Sequence, residues 1–192
     1  MEWFGGVITA TDSSSIRPAS LAWSRALPCG ELWTVGSGAG IAVTAVETGP
    51  LHGAVLGTHT VSATCLRMWL SEKWRSGPPA WAGTYAVVVA HPQGAAVFTD
   101  PAHALPLYFC EVEGAVVWAS SSRALSGLTD TGVDLAWVSG LLANPAVGRH
   151  GTNLSTFQRV HTVPPGHCLE VRRGGQTTVG QWWSPPRIVP RP

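Results

Sequence analysis

The chain has 192 residues, 45% hydrophobic and 12% charged, with a net charge of +1. That length suits one domain with a sizeable core, and the near-neutral balance excludes the electrostatic footprint of a nucleic-acid or anionic-membrane binder. No apolar run approaches the roughly 20 residues of a membrane span, and Glu2 with no basic region behind it is not a signal peptide, so a cytoplasmic protein is expected. The four cysteines, Cys29, Cys65, Cys110 and Cys168, are widely spaced and share no C-x-x-C unit. Buried free thiols are expected in place of a disulfide framework or a zinc site.

In chain order, residues 4–11 read as a β-prone opening strand. Residues 31–35 and 41–46 predict a hairpin around Gly36-Ser37-Gly38-Ala39-Gly40. That glycine cluster lacks G-x-G-x-x-G spacing and no helix pattern follows it, so it is a tight turn, not a phosphate loop. A strand over 54–56 precedes the clearest helix, 61–74, whose Leu66, Trp69 and Leu70 fall at i, i+3, i+4. Gly77-Pro78-Pro79 ends it. Strands are expected at 85–90, 95–99, 107–110 and 115–119. A second helix, 134–143, carries Leu135, Val138, Leu141 and Leu142 as its apolar stripe. A hairpin of 168–171 and 176–182 over Arg173-Gly174-Gly175 closes a domain of residues 1–184, and the proline-dense residues 185–192 read as an extended linker. Near-continuous apolar strands such as 85–90 imply sheets covered on both faces. With two or three helices, that predicts an α+β sandwich in which helices flank stacked sheets.

The second half also carries an ordered series of short motifs. Thr99-Asp100-Pro101 runs through Ala104-Leu105 to Pro106-Leu107-Tyr108, followed by Trp118-Ala119-Ser120-Ser121-Ser122-Arg123-Ala124-Leu125. Then come Phe157-Gln158-Arg159-Val160, Val163-Pro164-Pro165-Gly166-His167 and Trp182-Trp183. In this order they resemble the N-terminal glutamine-amidotransferase-like domain of the asparagine synthase family, whose relatives include β-lactam synthetases and lasso-peptide cyclases. The resemblance implies an N-terminal-nucleophile (Ntn) hydrolase fold of the class II amidotransferase type, a four-layer αββα sandwich.

Family chemistry requires a cysteine exposed at position 2, whose thiolate attacks the glutamine amide while its own α-amine serves as base. Here position 2 is Glu2, aligned without gaps ahead of Gly6-Val7. A carboxylate is a poor acyl acceptor, and Met1 is expected to be retained before a bulky Glu2. The family's Asn-Gly-Glu, which supplies the oxyanion hole and holds the substrate amine, has Leu56-Gly57-Thr58 as its counterpart. Leu56 cannot donate a hydrogen bond there, and Thr58 lacks the acid. The Arg-Gly-Pro that grips the glutamine carboxylate is matched only loosely, by Glu47-Thr48-Gly49-Pro50 or Arg17-Pro18. Asp100 keeps the family's aspartate, with His103 replacing a glycine, and is expected to cap a turn through backbone N–H groups. Ser120, Ser121 and Ser122 with His103 and Asp100 lack the G-x-S-x-G elbow of a hydrolase. The seven histidines show no zinc-site spacing.

The expectation is a glutaminase-inactive domain of an ATP-dependent amide-forming system, with no catalytic residue and no cofactor of its own. Peptide cyclisation of the lasso type is its preferred context. The Ser-Gly-Gly-x-Asp-Ser loop of the synthetase half is absent from these residues, so ATP and magnesium are expected only in a partner synthetase domain or chain. A peptide substrate is the other expected partner. The alternative is a stand-alone scaffold that holds a peptide or partner through an exposed tryptophan face. Trp182 and Trp183 cannot both point inward from one strand, so one of them is a candidate contact.

Overall fold

The computed structural model describes residues 2–9, 16–37, 40–102, 104–143 and 154–186. Among them the chain is α+β, with two antiparallel six-stranded sheets and three α-helices. The first half contributes β1 (Trp3–Thr9), β2 (Trp23–Leu27), β3 (Gly30–Val35), β4 (Ala42–Thr48), β5 (Leu51–His59) and α1 (Ala63–Glu72). Then follow β6 (Gly83–His91), β7 (Gly94–Phe98), β8 (Leu107–Val112), β9 (Ala115–Ala119), α2 (Ser122–Thr129) and α3 (Leu135–Ala143). The chain closes with β10 (His161–Val163), β11 (His167–Arg172) and β12 (Thr177–Gln181). One sheet has the order β10-β8-β9-β1-β3-β2, the other β12-β11-β7-β6-β5-β4. No helix among the described residues is long and apolar enough to cross a membrane.

Period-2 alternation divides each strand between two faces. Phe4 and Ile8 of β1, Leu32 of β3, Phe109 of β8 and Trp118 of β9 join Leu56, Val88, Val97 and Leu169 of the other sheet in one buried cluster. The alternate residues Val55, Val87 and Val89 pack with Leu66, Trp69 and Leu70 of α1 in a second cluster. Val7, Trp33 and Val117 join Leu125 of α2 in a third.

The expected hairpin of 31–35 with 41–46 does not form. Strand β3 pairs with β1 and β2, whereas β4 pairs with β5 in the other sheet. Both long edges of β3 are already taken, which leaves none for β4; of the expected turn, Gly38 and Ala39 lie outside the described residues. The hairpin partner of β3 is β2, turned through Gly30, whose φ of +149° suits glycine; a side chain there would collide with the Val7 carbonyl.

Three further differences matter for function. Helix α2 was not among the expected elements: Ser121 Oγ accepts from Ala124 N at 3.2 Å and Asp130 closes the helix in the left-handed region. Strand β10, only three residues long, was also not expected. Helix α3 stands near its expected place, with Asp134 Oδ1 accepting from Trp137 N at 2.9 Å. Its stripe faces no core, however: no residue of α3 is buried, and Leu135 and Leu142 are 72% and 77% exposed. Of the expected linker, Pro185 and Pro186 are exposed and outside regular structure, while residues 187–192 lie outside the described residues, as does His103.

Candidate functional site

Strand register gathers the resemblance-derived positions at one end of the two sheets. Trp3 pairs with Val35, so Glu2 meets the segment that follows β3. Ser37 Oγ donates to a Glu2 carboxylate oxygen, and a side chain at Gly40 would collide with that carboxylate. Two residues further on, Ala42 pairs with Gly57 of β5, and Gly57 pairs with Tyr85 of β6. The β6–β7 register, Val87 opposite Phe98, carries on to set Asp100 level with Tyr85. Glu2, Gly57, Thr58, Tyr85 and Asp100 thus share one end of the molecule.

Positions 2, 56 and 58 do not carry the cysteine, asparagine and glutamate that the resemblance would respectively call for. Glu2 is solvent-exposed and held by a serine hydroxyl. Leu56 is 0% exposed and spends its side chain in the inter-sheet core with Phe4. Gly57 has a φ of +134°, and a side chain there would strike the Thr84 carbonyl, so glycine is retained for backbone reasons. Thr58 is exposed. Asp100 is 8% exposed; its Oδ1 accepts from Ala102 N at 2.9 Å and its Oδ2 from Ala104 N at 3.1 Å. This is the turn-capping role expected of it. Next to it, Thr99 Oγ1 donates to Pro164 O at 2.9 Å and accepts from His167 N at 3.0 Å, which locks two of the sequence motifs together.

The other candidate nucleophiles are equally committed. Ser120 Oγ accepts from Phe4 N at 3.0 Å, and Ser121 caps α2. All four cysteines are free, and Cys29, Cys110 and Cys168 are buried as expected, but Cys65 on α1 is exposed. Its neighbours Leu66, Trp69 and Leu70 take the inward stripe, which leaves position 65 on the outer surface. Burial pushes the Cys29 thiol up to about 11 and raises those of Cys110 and Cys168 as well. A raised thiol pKa disfavours the thiolate, the nucleophilic form. Among the described residues no group of three or more His, Cys, Asp or Glu is placed to hold a metal.

Neither loose match to the carboxylate-gripping motif reaches this end as a free cation. The Arg17 guanidinium donates to Glu31 at 2.9 Å. Gly49 and Pro50 form the β4–β5 turn, where Glu47 pairs with Arg25 at 2.6 Å and stands opposite His52. From His52 to Gly57 the strand rises about 17 Å, so that turn belongs to the far end of the sheet.

Sequence reasoning missed a cavity of about 230 Å³ beside Asp100, lined by Trp81, Tyr85, Phe98 and Trp182 among others. The signal lay in the unusual count of ten tryptophans, but the cavity draws its lining from three separate stretches of the chain. Burial raises the Tyr85 pKa, so its hydroxyl stays protonated. It donates to Pro79 O at 3.2 Å or Trp81 O at 3.3 Å and accepts from Trp81 N at 3.1 Å.

Compared with known proteins, the chain matches no family model, and no curated protein matches it.

Proposed function

We propose that this chain is a glutaminase-inactive amidotransferase-like domain of the asparagine synthase type, in the four-layer αββα arrangement of Ntn hydrolases. It works beside an ATP-dependent synthetase half, and the amine in the reaction comes from the substrate itself, as in peptide cyclisation. The observation that carries this reading is the condition of the nucleophile end. Glu2 engages Ser37 where a thiolate would stand, and Leu56, apolar and sealed in the core, occupies the position of the oxyanion donor. Supporting the layered arrangement, one buried cluster joins the two sheets, and two others join their outer faces to α1 and α2. The motif series from Asp100 to Trp183 supports the family assignment, and its interlocked turns explain why those residues are kept without the chemistry.

Incubation of the purified chain with glutamine is expected to release no ammonia above a protein-free blank. Glu2→Cys alone is expected to remain inactive, because Leu56 and Thr58 supply neither an oxyanion donor nor an acid for the amine. Ammonia release by either protein would overturn the inactive-domain reading. Co-expression with a synthetase chain of the same source is expected to yield a complex; separate elution of the two would count against the partnership.

A second reading, a non-catalytic partner-binding scaffold, is favoured by α3. Its sequence, Leu-Ala-Trp-Val-Ser-Gly-Leu-Leu-Ala, has no charged residue, and none of its side chains is buried. A helix apolar on all sides is ordinarily covered. A chain that binds a peptide or protein but ignores every synthetase chain offered would favour this second reading.

A further inference from the structure

We infer that the aromatic cavity beside Asp100 is a binding site for a cationic group on an apolar stem, the chemistry of an arginine or lysine side chain or of a quaternary amine. This assignment goes beyond the amide-forming reading and does not depend on it. Three chain segments converge on the cavity: Trp81 and Tyr85 from the connection before β6 and from β6 itself, Phe98 from β7, and Trp182 and Trp183 from the run after β12.

The rings meet largely edge to face. Trp69 lies against Trp81 at 5.6 Å and 80° and against Phe98 at 6.2 Å and 78°, while Phe98 lies against Trp182 at 6.0 Å and 85°. Trp81 and Tyr85 meet at 6.0 Å and 50°. No pair is stacked face to face; in each T-shaped pair one ring's edge meets one face of the other, and the opposite face of that ring is left free by that partner. Those faces carry the negative part of the aromatic quadrupole and attract cations.

The side-chain oxygens of the cavity are already occupied by the protein itself, whereas Trp182 Nε1 is buried with no hydrogen-bond partner. Both Asp100 oxygens accept backbone N–H bonds, Tyr85 bonds its own loop, and Thr99 bonds the Pro164–His167 turn. A ligand that needs directional hydrogen bonds therefore finds few partners. Among the described residues the lining contains no lysine, arginine or histidine, and Asp100 contributes its one acidic side chain. Both fields, that of the rings and that of the carboxylate, select a cation and reject an anion.

Size narrows the ligand further. At about 230 Å³ the cavity falls below the roughly 300–1,000 Å³ of sites that enclose whole small molecules. It takes one side-chain-sized group. Trp183, also in the lining, is 38% exposed.

Calorimetric titration of the full chain tests this with three probes: N-acetylarginine amide, tetramethylammonium, and the neutral isostere N-acetylcitrulline amide. Saturable binding of either cation is expected, with the citrulline probe weaker by about tenfold. Binding of both cations shows that charge on any compact stem suffices; binding of one alone shows which stem the cavity accepts. Trp81→Ala is expected to weaken cation binding by about tenfold, and Trp81→Phe, which keeps an aromatic face, by less. Near-UV circular dichroism of both variants reports whether the fold is intact. Equal affinity for the arginine and citrulline probes overturns the proposal whatever the variants do. So does the absence of saturable binding by both cations, or unchanged affinity in a folded Trp81→Ala protein.

Discussion

Helices α1 and α3 are nearly equal in length, ten and nine residues, yet the less apolar one is the one that is buried. Helix α1 carries Arg67 and Glu72 and still drives Leu66, Trp69 and Leu70 into the outer face of a sheet. Helix α3 has no charge at all, yet none of its residues is fully buried; Trp137, Val138 and Leu141 are half-buried. Total apolarity did not decide the matter. What decided it was a narrow stripe that fits a prepared surface. The preparation is visible at Gly53 of β5, where a side chain would approach Leu70 Cδ2 to 3.0 Å. Absence of a side chain there lets α1 sit close to the sheet.

The comparison can be broken first at Leu70. Leu70→Ala empties a position that is 0% exposed and is expected to cost about 2–5 kcal/mol in urea denaturation; a loss under about 1 kcal/mol would mean that α1 is not anchored by its stripe. Leu56→Asn, which places a side-chain donor at this position, buries an unpartnered amide in the inter-sheet core. A cost of at least about 1–3 kcal/mol is expected from the unmet hydrogen bonds, with no ammonia released from glutamine. Ser62 Oγ accepts from Cys65 N at 3.2 Å to cap α1, and Ser62→Ala is expected to cost about 1 kcal/mol.

Acid sharpens the same face from another side. Burial lowers the pKa of His59, at the end of β5, and of His91, at the end of β6, below the ordinary 6.5. The neutral imidazoles are favoured in the folded chain, so the unfolded chain takes up protons first as pH falls. Their contribution is complete above about pH 6.5 and is lost as pH drops from there towards the depressed folded values. The urea midpoint is expected to fall between pH 8 and pH 5, with a shallower fall in His59→Gln/His91→Gln; an identical slope would remove these two histidines from the account. The smallest effect is expected on α3, where Leu142→Ala at a 77% exposed position should leave stability within about 0.5 kcal/mol. A larger loss would show that α3 is packed in solution.

Much of this fold was legible in the residues. Strands β6 to β9, the helix stripe of α1 and the hairpin of β11 and β12 followed from apolar runs, spacing and turn glycines. Strand β2 was not legible because it is an edge strand whose residues Trp23 to Leu27 alternate only between half-buried and exposed, leaving no apolar signature. Helix α2 was obscured by Ser120-Ser121-Ser122, which read as a loop until one serine proved to be its cap and another the partner of Phe4 N. At the candidate site, Glu2, Leu56 and Thr58 were legible as chemical substitutions. The aromatic cavity was not, because Trp81, Phe98 and Trp182 are far apart along the chain.

By itself the sequence determined the absence of a nucleophilic cysteine at position 2, the α1 stripe and the turn role of Asp100, since each depends on residue type or on neighbours within a few positions. Only the tertiary structure decided that β3 and β4 part into different sheets, that no residue of α3 is fully buried, and that aromatic residues from three stretches of the chain meet beside Asp100. Those outcomes depend on which surfaces are already occupied when elements pack, and occupancy is a property of the assembled chain, not of any local window.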